Sequence, residues 1–194
     1  MKNNQSGRSM VEMLGVLAII GVLSAGGLAG YSKAMFKHKL NSTMDQLTML
    51  VTNIRTMYGT QENYAGLSVK SAYNLGLIAA SASAGNSGSQ MVNPFKGKVT
   101  LSPKAAKDGV ANSGFIITYD GLPKEACIAL ATADWGTGAG SGFISVTANG
   151  KFGETATDLD EVYTGTSAEG IPMKVSEAIT ACGSDTNTVA IKFY

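Results

Sequence analysis

The chain has 194 residues with 15 basic and 14 acidic side chains, giving a formal net charge of +1. Strong nucleic-acid binders usually carry a basic cluster, and this balanced sequence has none, so we exclude that class. The length suits one membrane helix and one globular domain of modest size. Glycine and small residues are abundant and only 15% of residues are charged, which favours a secreted, tightly packed protein over a cytosolic enzyme.

A long apolar segment with a single charged residue lies near the N-terminus. Between Met10 and Tyr31 the only charged residue is Glu12. As a helix this segment rises about 33 Å, enough to cross a hydrocarbon core of about 30 Å. A carboxylate inside such a segment is costly and therefore marks a candidate functional residue. The alternative is that Glu12 only lies at the level of the lipid headgroups.

Five glycines interrupt this apolar segment. Gly26 and Gly30 have the GxxxG spacing that lets two helices approach closely in lipid, and we expect them to be a packing site. The alternative is that the adjacent pair Gly26 and Gly27 lets the helix unwind locally, because glycine is a poor helix former.

The helical pattern continues beyond the membrane segment. Apolar residues recur every three or four positions, which predicts one buried face: Phe36, Leu40, Met44, Leu47, Val51, Ile54 and Tyr58. Gly59 then provides a typical helix stop. We therefore predict one helix from Met10 to Tyr58, with His38, the only histidine, exposed to solvent.

The remaining sequence predicts a mixed α+β domain. Residues 60–110 form a connecting region with a short amphipathic helix, a low-complexity loop and a first strand: Ser68–Ile78, Ala79–Gln90 and Lys98–Leu101. These are followed, in chain order, by a strand (Phe115–Tyr119), a helix with Pro123 in its first turn, a strand (Gly142–Ala148) and a helix (Met173–Cys182). Asn149–Gly170 is polar and loop-like. A final strand has inward positions at Val189, Ile191 and Phe193.

The two cysteines, Cys127 and Cys182, follow the apolar segment. Export through a membrane places them in an oxidising compartment, where we expect a disulfide between them. The chain-entropy model assigns a bridge over such a loop about 4 kcal/mol. The alternative is a pair of buried, unpaired thiols.

The N-terminus resembles the leader of type IV prepilins. Gly7 follows a short polar stretch, Glu12 is the fifth residue after it, and the uninterrupted apolar helix comes next. The resemblance implies that a membrane prepilin peptidase cuts after Gly7, N-methylates the new terminus at Arg8 and leaves the helix on the mature chain. The family usually has an apolar residue where this chain has Arg8. The implied organisation is a leader (1–7), an assembly half (8–31) and an amphipathic half (32–59) of one helix, and a globular domain (60–194).

The second half of the chain resembles the type IVb pilin subfamily. The resemblance rests on the segments NPFKGKVTL, FIITYDGLPKEACIAL and ACGSDTNTVAIKFY. It implies a type IV pilin fold, in which a long N-terminal helix packs on a twisted, mainly antiparallel sheet. In that fold the last strand lies inside the sheet, and a disulfide closes the 127–182 region. A seven-residue leader is short for this subfamily.

No pattern in the sequence indicates catalysis or a cofactor. There is no GxxxxGK[ST] phosphate loop and no GxSxG, and one histidine with two cysteines makes no zinc site. An acidic loop is the best candidate for calcium, although such loops are usually solvated surface: Glu154, Asp158, Asp160 and Glu161. We therefore predict no metal.

The resemblance implies a structural protein, the major subunit of a type IVb pilus. We hypothesise that the N-terminal amine of an incoming subunit, at Arg8, pairs with Glu12 of a neighbour in the filament. Expected partners are further copies of the chain, the prepilin peptidase, an inner-membrane assembly platform with its ATPase, and the membrane itself before assembly. The precursor would lie in the bacterial inner membrane and the mature chain in an extracellular filament.

Two alternatives stay open at this point. One is a minor pilin or a secretion pseudopilin, which has the same N-terminus. The other is a periplasmic enzyme or binding protein that keeps its apolar helix as an anchor.

Overall fold

The computed structural model describes residues 10–79, 82–84, 90–106, 110–136, 142–150 and 172–194. The chain divides into two compact units, one ending at Asn41 and one beginning at Ser42. Each is described by itself.

Helix α1 runs from Met10, the first residue that the structure describes, to Tyr58, where the sequence predicts its end. In the first unit, its residues from Met10 to Ala34 are exposed. It is long and apolar enough to cross a membrane, with a mean hydropathy of 2.1 over its most apolar window. His38 is exposed, as predicted.

In the second unit, α1 buries one face. The predicted stripe is confirmed for its last four members, which are buried: Leu47, Val51, Ile54 and Tyr58. Two residues outside the stripe, Thr43 and Leu50, are buried as well. Gly59 follows the helix as predicted, although its φ is not positive, so it does not end the helix through the left-handed conformation that many such glycines adopt. Its small size matters instead, because a Cβ at Gly59 would lie 2.8 Å from the Arg55 carbonyl oxygen.

The other elements form a sheet and three short helices. In chain order they are α2 (Val69–Asn74), β1 (Ser83–Ala84), β2 (Gln90–Val92), β3 (Lys98–Lys104), β4 (Gly114–Leu122), α3 (Lys124–Thr132), β5 (Phe143–Ala148), α4 (Val175–Ala181) and β6 (Asn187–Phe193). Neighbouring strands are antiparallel, in the order β1-β2-β3-β4-β6-β5. The last strand, β6, therefore lies inside the sheet, which confirms the expectation from the resemblance.

The connecting region differs most from prediction. Helix α2 begins after its N-cap Ser68, which forms a capping box with Ser71, but it ends at Asn74 rather than at Ile78. The chain turns there because Gly76 has a φ of 70°. The predicted loop 79–90 contains β1 and the first residue of β2. Pairing with β2 makes β1 a strand, since its small residues have little strand propensity of their own.

Element ends also differ in the sheet and the later helices. Strand β3 continues to Lys104 because it stays paired with β4 as far as Gly114. Pro123 is the N-cap of α3, with extended backbone angles, rather than a residue of its first turn. Helix α4 begins at Val175, two residues later than predicted.

The final strand is buried on both faces. Val189, Ile191 and Phe193 are buried as predicted, and Ala190 and Lys192 between them are buried as well. Helix α3 packs against both β5 and β6. A strand covered on two sides does not show the simple alternation of a half-buried strand.

Tyr119 on β4 lies fully in this core. Its hydroxyl has no hydrogen-bond partner among the residues that the structure describes, and burial raises its pKa well above the usual range. The pKa of Tyr119 is higher in the folded chain than in the unfolded chain, where it is about 10. Folding is therefore favoured by the protonated hydroxyl below pH 10, and this contribution to stability is lost as the pH rises further.

We therefore expect Tyr119→Phe to leave the free energy of unfolding at pH 7 unchanged or raised by about 1 kcal/mol, since it removes an unpaired hydroxyl. Above pH 10 the variant should lose stability more slowly than wild type, by about 1.4 kcal/mol per pH unit. Urea unfolding of the chain in detergent between pH 7 and 11 measures both effects. Tyr31→Phe removes an exposed hydroxyl and is the control. A loss of more than 2 kcal/mol at pH 7 would contradict this expectation.

Candidate assembly site

The most unusual surface of the first unit is the apolar part of α1. Met10, Val11 and Met13 on either side of Glu12 are 84%, 75% and 53% exposed, and the apolar residues up to Tyr31 are similarly uncovered. A soluble monomer rarely exposes so large an apolar surface, so lipid or other protein chains must cover it. This segment is therefore the candidate surface for membrane insertion or for association with other chains.

Glu12 lies in the first turn of α1. The N-terminal end of a helix carries a partial positive charge, which favours a carboxylate at this point. Gly7 and Arg8, the predicted cleavage and methylation sites, lie outside the described residues, so their position relative to Glu12 stays a prediction. The same holds for the acidic loop from Glu154 to Glu161, the calcium candidate.

The helix is unbroken through Gly26 and Gly27, so the alternative of local unwinding is not seen in this chain. A Cβ at Gly26 or Gly30 would meet no atom within 4 Å. Both positions are therefore open to another helix, as close packing requires. Their role in packing stays a prediction.

The disulfide between Cys127 and Cys182 is formed, with its Cα atoms 5.9 Å apart. Cys127 lies in α3 and Cys182 follows α4, both fully buried. The alternative of unpaired thiols is wrong. The bridge fastens two short helices that pack on each other.

Two asparagines that the sequence interpretation missed hold the chain beside this disulfide. Asn187 donates from Nδ2 to the carbonyl oxygen of Ser184 (2.7 Å), and its Oδ1 accepts from Asn149 Nδ2 (2.8 Å). Asn149 also donates to the Ala181 carbonyl oxygen (2.8 Å) and accepts from the Thr188 backbone N–H (2.8 Å). The end of β5, the end of α4 and the start of β6 are thereby joined. The Asn149–Gly150 pair after a predicted strand was the available signal.

Nothing in the described part of the chain resembles a metal centre, since no three His, Cys, Asp or Glu residues cluster there. The chemistry that this arrangement could support is the association of apolar helices, and the role of Glu12 in it stays a prediction.

Comparisons with known proteins agree with this interpretation. The family model described as PilS N terminal matches residues 37–193. The chain is 24% identical over 193 residues to the major structural subunit of bundle-forming pilus of Escherichia coli O111:H-, covering all of this chain and 95% of that protein. It is 28% identical over 136 residues to the toxin coregulated pilin of Vibrio cholerae, covering 68% of this chain and 59% of that protein.

Two solved structures share the fold. The type IVb pilin from Salmonella typhi aligns with a TM-score of 0.55 at 21% identity, covering 78% of this chain and 97% of that one. The type IV pilin TcpA from Vibrio cholerae El Tor aligns with a TM-score of 0.51 at 16% identity, covering 81% and 99%. The chain therefore belongs to the PilS N-terminal family and has the fold of type IVb pilins.

Proposed function

We propose that this chain is the major structural subunit of a type IVb pilus and has a structural, non-enzymatic role. The observation that carries the proposal is the full-length similarity to a protein named as the major structural subunit of bundle-forming pilus. The exposed apolar part of α1 supports it, because a filament of packed helices buries that surface.

Assembly begins with removal of residues 1–7 by the prepilin peptidase. The cut after Gly7 creates a positively charged amine at Arg8, and N-methylation leaves that charge in place. The apolar segment from Met10 to Tyr31 holds the subunit in the inner membrane until it is used. The sequence has no phosphate-binding loop, so an ATPase acting through an inner-membrane platform supplies the energy.

Glu12 positions each subunit that is added to the filament. Burying an unpaired carboxylate in an apolar environment costs several kcal/mol, and an opposite charge offsets this cost only when it is close. The amine at Arg8 of the incoming subunit pairs with Glu12 of a neighbour, so both charges are neutralised at one axial position. The pair therefore selects the register of the helices, while apolar packing and Gly26 and Gly30 supply close contact.

The test is the composition of sheared surface fibres from the source bacterium. We expect this chain to be the most abundant protein in them, with Arg8 as its first residue. Its mass should be one methyl group heavier, and two hydrogens lighter for the disulfide, than the unmodified chain. A chain present at a few copies per fibre would instead identify a minor pilin or pseudopilin. An uncut chain found only in the inner membrane would refute the proposal and favour an anchored periplasmic protein.

A further inference from the structure

Two lysines follow the apolar segment of α1 on one side of the helix. Lys33 and Lys37 are four residues apart, so their side chains project from the same face, and both are exposed. Neither makes a hydrogen bond or an ion pair within the part of the chain that the structure describes. The sequence has no acidic residue between Glu12 and Asp45, so the surrounding helix offers no carboxylate to neutralise them. The pair is therefore a local excess of positive charge.

The unbroken helix determines how far these lysines lie from the start of the apolar segment. At about 1.5 Å per residue, Gly30 lies about 30 Å from Met10 along the axis, and Lys33 and Lys37 lie about 35 and 41 Å from it. A hydrocarbon core of about 30 Å that begins at Met10 ends near Gly30, and the polar headgroup layer continues for about 5–7 Å beyond it. Helical side chains lean toward the N-terminus, so the long side chain of Lys37 reaches back toward that layer. Both ammonium groups therefore have access to lipid headgroups.

Tyr31 lies at the same boundary. It is 64% exposed and follows Gly30 directly, and tyrosine is enriched where a membrane helix enters the headgroup region. In the orientation of the proposed function, the residues after Tyr31 lie on the side away from the cytoplasm. Short segments that flank a membrane helix on that side usually carry few lysines. Lys33 and Lys37 are contrary to this tendency, which indicates that their charges are used at the membrane surface.

We propose that Lys33 and Lys37 bind the phosphate group of an anionic phospholipid while the subunit is in the membrane. This inference rests on the proposed function only for the insertion and orientation of α1. Both ammonium groups donate to phosphate oxygens from one helix face, an attraction that salt weakens. The acyl chains lie along the apolar part of the same face, where Val22, about three turns before Lys33, is 75% exposed. Gly26 and Gly30 share this face, so the lipid has to be exchanged for a neighbouring helix during assembly.

The lipid affinity of the full-length chain tests this site. Native mass spectrometry of the detergent-purified chain, titrated with phosphatidylglycerol, measures the binding of single lipids. Lys33→Gln with Lys37→Gln should bind about tenfold more weakly than wild type, because both charges near the phosphate are lost. Lys33→Arg with Lys37→Arg keeps both charges and should bind like wild type.

A matched control removes the same charge elsewhere in the chain. Lys70→Gln with Lys98→Gln replaces two exposed lysines of the globular domain and should leave the affinity for phosphatidylglycerol unchanged. Phosphatidylcholine, which has no net charge, should bind to the wild type and to the Lys33→Gln, Lys37→Gln variant equally. An intact disulfide shows that each variant is folded.

Three outcomes would contradict the lipid site. Equal phosphatidylglycerol affinity of the wild type and the Lys33→Gln, Lys37→Gln variant would overturn it and leave the proposed function standing, because sheared fibres test that function separately. If this variant bound lipid normally but formed no fibres, the lysines would contact a neighbouring subunit instead. Displacement of the lipid by excess inorganic phosphate would mean that the pair binds phosphate without a membrane. A wild-type chain that alkaline carbonate removes from phosphatidylglycerol vesicles is not inserted, and this result would refute both proposals.

Discussion

Replacing Glu12 by alanine is expected to leave a folded, membrane-inserted subunit that does not enter filaments. The variant removes the only carboxylate in the apolar part of α1, so the amine of each incoming subunit is buried without a partner. Removing one member of a buried ion pair costs about 3–5 kcal/mol, which lowers the equilibrium constant for adding a subunit by about a hundredfold or more. Electron microscopy and the pilin content of sheared material measure the loss.

Two control variants separate charge from shape and from expression. Glu12→Gln keeps the size and polarity of the side chain and should fail like the alanine variant, because it lacks the charge. Glu62→Ala removes an exposed acid outside this segment and should assemble normally. An intact disulfide and recovery in the membrane fraction show that a failing variant is folded. Normal filaments from either Glu12 variant would contradict the pairing hypothesis.

The second large effect is expected from loss of the disulfide. Replacing both Cys127 and Cys182 by alanine should lower the free energy of unfolding by about 4 kcal/mol, since the bridge closes a long loop in the unfolded chain. For a domain of this size the melting temperature should fall by roughly 10 °C. Thermal and urea unfolding of the full-length chain in detergent measure the change.

Reduction of the wild-type protein under denaturing conditions gives the matched comparison for this variant. The reduced wild type should unfold at nearly the same urea concentration as the double alanine variant, because both lack the same cross-link. A decrease below 1 kcal/mol would mean that packing of α3 on α4 supports this region without the bridge.

The sequence predicted best those elements whose physical signal is local. The extent of α1 follows from a long apolar run continued by a regular stripe, and its end at Tyr58 matches the structure. The disulfide followed from two cysteines in an exported chain, and the inner position of β6 from the family resemblance. Glu12 could be singled out because a lone charge in an apolar segment is recognisable without any coordinates.

Features that depend on distant partners were not predictable in this way. Strand β1 consists of small residues and exists only through its pairing with Met91 and Gln90. Leu50 is buried, although it lies outside the stripe, because α1 buries a wider face than the stripe indicates. A groove along the second half of α1 is lined by Arg55, Trp135 and Tyr194. These residues are far apart in sequence, so no local pattern predicts the groove. The Asn149–Gly150 pair is a local turn signal, but no local pattern indicates that Asn149 contacts the distant Asn187.

The position of β6 has a consequence for how the protein is made. This strand pairs with β4 on one side and β5 on the other, and it follows both of them in the sequence. Until Asn187–Phe193 pairs with them, β4 and β5 each have an unpaired edge, and such edges tend to pair with other chains. Chains shortened before Asn187 should therefore be aggregation-prone and quickly degraded. The sheet therefore becomes continuous only when the Asn187–Phe193 segment is available to pair with both neighbours.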